Sequence, residues 1–168
     1  ESHHFPLLAD HIKHKPDPVT IWCSAASTGE EPYSIAMTLL ETLGPKASQA
    51  KVIATDIDTE ALAKARKGIY PQEQVRKLDE ARVKRFFQKG TGNHIGLARV
   101  RPEVSALVEF MPLNLLAPQW PVKGPFDAVF CRNIMIYFDK DTQAKILKRF
   151  APLMKPDGLL FAGHSENF

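Results

Sequence analysis

Between Val19 and Ser34 the chain runs through a short apolar stretch, four small residues (Ser24, Ala25, Ala26, Ser27), a single glycine at Gly29, and two acids, Glu30 and Glu31, before Pro32. This order reads as a buried strand, a tight loop and a helix entered through an acidic first turn, a unit that lines a ligand crevice with backbone N–H groups. The lone glycine separates it from the G-x-G-x-x-G dinucleotide fingerprint, and no G-K-[ST] ending makes it a phosphate loop. Carboxylates at the helix entrance repel a phosphate and suit a cation or ribose hydroxyls. The loop therefore favours an uncharged or cationic nucleoside, which points to S-adenosylmethionine.

Other polar residues fall at the ends of apolar runs. Asp56 closes the run Lys51–Thr55, where a carboxylate can accept from ribose hydroxyls or cap the next helix. Asn114 and Leu115 follow the run Val108–Met111; there an amide or backbone group can read an adenine edge while Leu115 covers its face, and a plain turn fits the same pattern. Asp127 lies within the run Phe126–Cys131, and Arg132 and Asn133 leave its carboxyl end. Tyr137 is near enough to present its hydroxyl to the same space, or to pack as a core aromatic beside Phe138. Among His3, His4, His11 and His14, the spacing puts His11 and His14 on one helical face, but no Cys, Asp or Glu except Asp10 could complete a set, so no metal site is expected. No G-x-S-x-G elbow supports a serine triad, and His164 reads as a loop hydrogen-bonder.

These positions need a scaffold. At 168 residues, 44% hydrophobic and 24% charged, the chain is sized for one globular domain. No apolar run approaches the ~20 residues of a membrane span, and no signal peptide opens it. Net charge is +3, but Arg76, Lys77, Arg82, Lys84, Arg85, Lys89, Arg99 and Arg101 cluster, as a solvated helix face or toward an acidic protein or nucleic acid. Cys23 and Cys131 each end a core strand without metal-ligand spacing, which suits a reducing cytoplasm.

The periodicity predicts a helix in His4–His14, a strand at Val19–Cys23, a helix at Pro32–Leu43, and a strand at Lys51–Thr55. A helix follows, capped by Asp58 or Thr59 and ended by Gly68. Strands are expected at Val108–Met111, Phe126–Cys131 and Gly158–Ala162, with an amphipathic helix at Asp139–Leu153. Such alternation argues for an open parallel α/β sheet. Tyr70–Ala106 departs from it. A basic helix is expected at Asp79–Gln88, with Val83, Phe86 and Phe87 as its apolar face. Lys89–Arg101 then looks like a small antiparallel excursion, or a mere surface hairpin. Gly90, Gly92 and Gly96 can reach backbone conformations closed to other residues, and Lys89 and Arg99 flank them.

Together the runs 24–34 (SAASTGEEPYS), 54–58 (ATDID), 68–70 (GIY), 114–116 (NLL), 126–138 (FDAVFCRNIMIYF) and 154–166 (MKPDGLLFAGHSE) resemble the chemotaxis receptor methyltransferase family of CheR type. The resemblance implies a Rossmann-like class I S-adenosylmethionine-dependent methyltransferase sheet with a small antiparallel β-subdomain inserted. It places the catalytic domain at 1–168, trimmed at both ends with the final strands missing, and the insertion at 89–106. The implied activity is methyl transfer from S-adenosylmethionine to glutamate carboxylates of chemoreceptor cytoplasmic domains, leaving S-adenosylhomocysteine. Ser24, Ala25, Glu31, Asp56, Asn114, Leu115, Arg132 and Asn133 would surround the cofactor, and Tyr137 would face the methyl group.

In some members the subdomain adds a strand from a receptor carboxyl-terminal tail peptide. Here the peptide is expected along Leu97–Arg101, held by Lys89, Gly90, Gly92, Gly96 and Arg99. No metal, nucleic-acid partner or membrane insertion is expected, and the location is cytoplasmic at receptor arrays. Two departures stand out: Glu1 follows directly where the family has an arginine-bearing segment, and Lys89 replaces the arginine of peptide-binding members. A methyltransferase for RNA or a small molecule, or a non-catalytic receptor-tail or cofactor-binding module, remains the competing expectation.

Overall fold

The structure, a computed structural model, describes residues 4–132 and 137–162. Five parallel strands form the main sheet: β1 (Thr20–Cys23), β2 (Lys51–Asp56), β6 (Val108–Pro112), β7 (Phe126–Cys131) and β8 (Met154–Ala162). Their spatial order is β6-β2-β1-β7-β8, so the winding reverses between β1 and β7. Side-chain alternation buries both faces. Ile21, Cys23, Val52, Ala54, Ala128 and Phe130 face one core with α1 (His4–Ile12), α2 (Glu30–Leu43) and α3 (Thr59–Lys67). Trp22, Ile53, Val129 and Cys131 face the other, with Ile146 and Phe150 of α7 (Lys140–Phe150).

The helix boundaries have local causes. Gly29, at φ 100°, delivers the chain into α2, which starts at Glu30 rather than Pro32. Proline is tolerated there because first-turn N–H groups have no intrahelical partner. The Asp58 side chain caps α3 by accepting from the Glu60 and Ala61 amides, and Gly68 closes it in a left-handed conformation. Asp139 caps α7 through the Thr142 amide at 2.7 Å. β8 begins earlier than expected. The Lys-Pro-Asp-Gly sequence is a bulge inside it, since Phe126 pairs with Met154 but Ala128 with Leu159.

The excursion is wider than residues 89–106. A second sheet joins β3 (Ile69–Pro71), β4 (Phe87–Lys89) and β5 (Leu97–Val100) in the order β3-β5-β4, antiparallel throughout. Two short helices, α4 (Gln72–Val75) and α5 (Glu80–Phe86), lie between its first two strands, and α6 (Pro102–Ser105) leads back toward β6. The basic helix is shorter than expected because Phe87 leaves it to pair with Val100, both nearly buried. β5 is central, with both edges occupied, so no peptide can pair along Leu97–Arg101 as expected. Among the described residues no helix is long and apolar enough to cross a membrane.

Candidate functional site

The loops after β1 and β2 and the end of β7 meet where the strand order reverses, the place where open α/β sheets bind ligands. They enclose a crevice of ≈ 670 Å³ bordered by Ala25, Ser27, Glu31, Asp56, Arg132 and Tyr137, with Ala26, Thr28, Glu30, Ile57 and Asp58 completing its lining. The β1 loop is folded over β2 by backbone bonds: Ala26 N–H donates to the Thr55 carbonyl at 2.8 Å. Ser27 N–H donates to Asp56 Oδ2 at 2.7 Å. Ser27 has φ 51°, a left-handed conformation uncommon outside glycine. Asp56 Oδ1 accepts from Asp58 N–H at 2.9 Å. Each carboxylate oxygen thus holds one loop amide and keeps a further lone pair for a ligand hydroxyl.

Glu31 is anchored from behind. Arg132 donates through Nε and Nη2 to its Oε2 at 2.6 and 2.5 Å, with side chains 7% (Arg132) and 16% (Glu31) exposed. Removing either partner strands the other charge in a largely dry setting, at a cost of about 3–5 kcal/mol. The Cys23 thiol lies 3.3 Å from Glu31 Oε1; burial first, and then the Glu31 charge, push its pKa well above the ordinary range, so it stays protonated. Tyr137 is 78% exposed at the crevice wall, so the core-aromatic alternative does not hold.

Three expected cofactor residues sit elsewhere. Ser24 is buried, and its hydroxyl donates to the Phe130 carbonyl at 2.9 Å, tying β1 to β7. The Leu115 side chain is buried in the second core with Trp22 and Leu113. Asn114 is exposed, and its Oδ1 accepts from Leu116 N–H at 2.9 Å, the local turn geometry. None of the three borders the crevice. Asn133 lies outside the described residues. Asp127 is fully buried near the start of β7, away from the crevice end, receiving Lys155 Nζ and the Thr20 amide at 2.9 Å each, and serves the fold.

Tyr70, unremarked on chemical grounds in the sequence, links the two sheets. From β3 its hydroxyl donates to the Thr28 carbonyl at 2.7 Å, pinning the crevice loop. Burial, with Glu30 and Tyr33 nearby, raises its pKa, so the donor proton is retained. Tyr33 does the same for α3, donating to the Ala65 carbonyl at 2.5 Å, its pKa pushed up to about 12 by burial. No spacing rule marks such hydroxyls, because their partners are distant backbone carbonyls.

The small sheet carries a second hollow of ≈ 250 Å³, bordered by Ile69, Lys89, Gly90, His94, Leu97 and Arg99 among others. Three of the five expected peptide residues, Lys89, Gly90 and Arg99, border it. Gly92 and Gly96 hold positive φ, 57° and 90°, in the connection between β4 and β5. Gly90 is needed for space, since a Cβ there would meet the His94 carbonyl oxygen at 2.0 Å. Among the described residues no three His, Cys, Asp or Glu side chains gather as a metal site would require.

Comparison with known proteins gives a consistent picture. The family model "CheR methyltransferase, SAM binding domain" matches residues 1–168. The chain is 62% identical over 168 residues to the chemotaxis protein methyltransferase of Escherichia coli K12, covering 100% of this chain and 59% of that protein. It is 53% identical over 171 residues to chemotaxis protein methyltransferase 2 of Pseudomonas aeruginosa, covering 100% of this chain and 61% of that one. The chain thus spans about three fifths of the length of these curated relatives. Among solved structures, PKMT2 from Rickettsia typhi in complex with AdoHcy superposes with a TM-score of 0.54 at 15% identity, over 94% of this chain and 24% of that one. At that identity the likeness concerns the fold.

Proposed function

Because the chain belongs to the CheR methyltransferase family, through its SAM-binding domain, we propose that it transfers a methyl group from S-adenosylmethionine to glutamate side chains of chemoreceptor cytoplasmic domains. The products are glutamate methyl esters and S-adenosylhomocysteine. The observation that carries this reading is one crevice holding two fixed carboxylates, Glu31 and Asp56, beside the exposed Tyr137 hydroxyl. S-adenosylmethionine fits that donor set. Its size suits the volume, its ribose hydroxyls suit the free lone pairs of Asp56, and its cationic groups suit Glu31 and the neighbouring Glu30.

When bound, the cofactor supplies an activated sulfonium methyl. The chain supplies alignment. A glutamate carboxylate, with an ordinary pKa of about 4.3, is already an anionic nucleophile at neutral pH and needs no general base. Tyr137 donates its hydroxyl to one carboxylate oxygen and leaves the other free to attack. Holding both reactants in register contributes on the order of 7–11 kcal/mol to such reactions. Asp56 and the Ser27 amide fix the ribose side of the crevice, while Arg132 keeps Glu31 in place.

The small sheet is the docking element for the receptor tail, by strand addition. Its open edges are β3 and β4. The bonds from Gln72 N–H to the Gly96 carbonyl and from Val100 N–H to the Gly68 carbonyl place Ile69 and Pro71 facing outward on β3. Pro71 has no N–H to offer there, which blunts that edge. On β4 the bonds from Gly90 N–H to Leu97 and from Arg101 N–H to Phe86 turn the backbone of Phe87 and Lys89 outward, both with donors. The peptide therefore pairs with β4, next to the hollow at Lys89 and Gly90, and brings the enzyme to receptor arrays on the cytoplasmic side.

Incubation with methyl-labelled S-adenosylmethionine and a receptor cytoplasmic domain tests this reading. Base-labile methyl esters on receptor glutamates are expected. Label on RNA or a small metabolite, with none on the receptor, overturns it.

A further inference from the structure

Between the crevice and the small sheet lies a third hollow of ≈ 430 Å³, bordered by Thr28, Lys64, Lys67, Ile69, Pro71 and Gln74 among others. It shares Thr28 and Glu30 with the crevice, and Ile69 with the hollow at Lys89 and Gly90. The three spaces therefore form one surface track. Tyr70 fixes the border between the first two by donating to the Thr28 carbonyl at 2.7 Å. α3 builds the basic wall of the hollow: Lys64 and Lys67 stand three residues apart in its last turn, neighbours on one helical face, and both are exposed. Among the described residues neither forms an ion pair, whereas Arg82, Arg132 and Lys155 each hold a carboxylate.

The crevice itself poses an electrostatic problem for a protein substrate. Among the described residues its lining carries four carboxylates, Glu30, Glu31, Asp56 and Asp58, against one cation, Arg132, which is held by Glu31. That excess suits a cationic cofactor and repels an anionic side chain. Positive charge beside the rim offsets the repulsion and steers such a partner in. Glu30, the acid that faces both spaces, is engaged by Thr28 Oγ1 and by Gln74 Nε2 at 3.1 Å. Lys64 and Lys67 supply the cations of the neighbouring hollow.

We propose that this hollow is a docking surface for the glutamate-bearing receptor segment: acidic side chains flanking the target residue pair with Lys64 and Lys67 while the target enters the crevice. The inference rests on the receptor-glutamate reading of the crevice. A segment leaving the rim at Thr28 toward Ile69 passes both lysines, and Ile69, 40% exposed, gives it an apolar contact. Lysines are hydrated point charges on flexible stems, which fits a partner read by its charge rather than by bidentate geometry.

The test is steady-state methylation, by the full chain, of a receptor cytoplasmic domain lacking its carboxyl-terminal tail, so that pairing at β4 does not contribute. In Lys64→Glu/Lys67→Glu the KM for receptor should rise about tenfold at low salt, with kcat and the Kd for S-adenosylhomocysteine close to wild type. The gap should narrow as salt is raised toward about 1 M, where the Debye length is about 3 Å. Lys64→Gln/Lys67→Gln should give a smaller rise, and it keeps the test open should the reversal variant fail to fold by circular dichroism. Lys46→Glu/Lys148→Glu makes the same change in net charge in the turn after α2 and in the last turn of α7, and should leave KM unchanged. A wild-type KM in the folded Lys64 and Lys67 variants, or an equal rise in the distant pair, overturns the proposal. So does a lowered unfolding midpoint with unchanged KM, which would assign the two lysines to the helix end alone. Absence of label on the receptor with the wild-type chain instead overturns the methyl-transfer reading beneath it.

Discussion

Asp56 does two jobs with one carboxylate: it holds the Ser27 and Asp58 amides and faces the crevice. Asp56→Ala should therefore weaken S-adenosylhomocysteine binding by about 1–3 kcal/mol, the usual cost of stranding partly buried polar partners. Calorimetry reads this directly, and unchanged affinity in a folded variant would remove Asp56 from the ribose role. Tyr137→Phe should lower turnover on receptor glutamates while leaving cofactor affinity unchanged, because its hydroxyl is assigned to the substrate carboxylate. A comparison of kcat with the S-adenosylhomocysteine Kd checks it. At this scale the sequence placed Asp56 at the end of β2, Arg132 just after β7 and Glu31 in the first turn of α2, and all three border the crevice. Ser24 and Leu115 lie instead in the core, off the crevice lining, because composition alone does not say which of neighbouring residues turns inward.

The elements show how the crevice loop is held. Gly29 sits against β3 and α3: a Cβ there would lie 2.8 Å from the Tyr70 hydroxyl and 2.9 Å from Ala65 Cβ, at a φ of 100°. Gly29→Ala should destabilise the chain by about 1–3 kcal/mol through strained backbone and crowding, measured by denaturant unfolding. A stability equal to wild type would mean that the loop relaxes freely. The β4 edge carries its own test. Lys89→Pro removes an outward N–H without touching the bonds to β5, whereas Lys89→Ala removes only the charge. Tail-peptide affinity should fall further in the proline variant, with S-adenosylhomocysteine binding unaffected in both; equal losses would leave no role for backbone pairing. The longer elements were legible, since α2 and α7 carry a helical apolar pattern and β2 and β7 are nearly continuous apolar runs. β3 and β4, at three residues each, are too short for alternation to register, and pairing across many residues defines them.

The molecule as a whole rests on a sheet with two covered faces. Trp22 is fully buried between Trp120, Phe126 and Phe150, with centroids at 5.1–5.7 Å. Its indole N–H donates to Thr55 Oγ1 at 3.0 Å. Trp22→Ala should cost about 3–5 kcal/mol, read from the unfolding midpoint; a loss below about 1 kcal/mol would show that the second core collapses around the gap. Alternating strands and helices made this architecture readable in advance, including the crevice at the reversal of strand order. The edges of the small sheet were not readable, and they carry a liability of their own. An edge left open for a guest strand is equally open to another copy of the same chain. β4 answers this with brevity and with the exposed Gln88 and Lys89. Three residues are too few to bind a second copy firmly, and two lysines brought together across such a junction would repel. The short, charged edge proposed to take a receptor tail thus also guards the protein against polymerising through it.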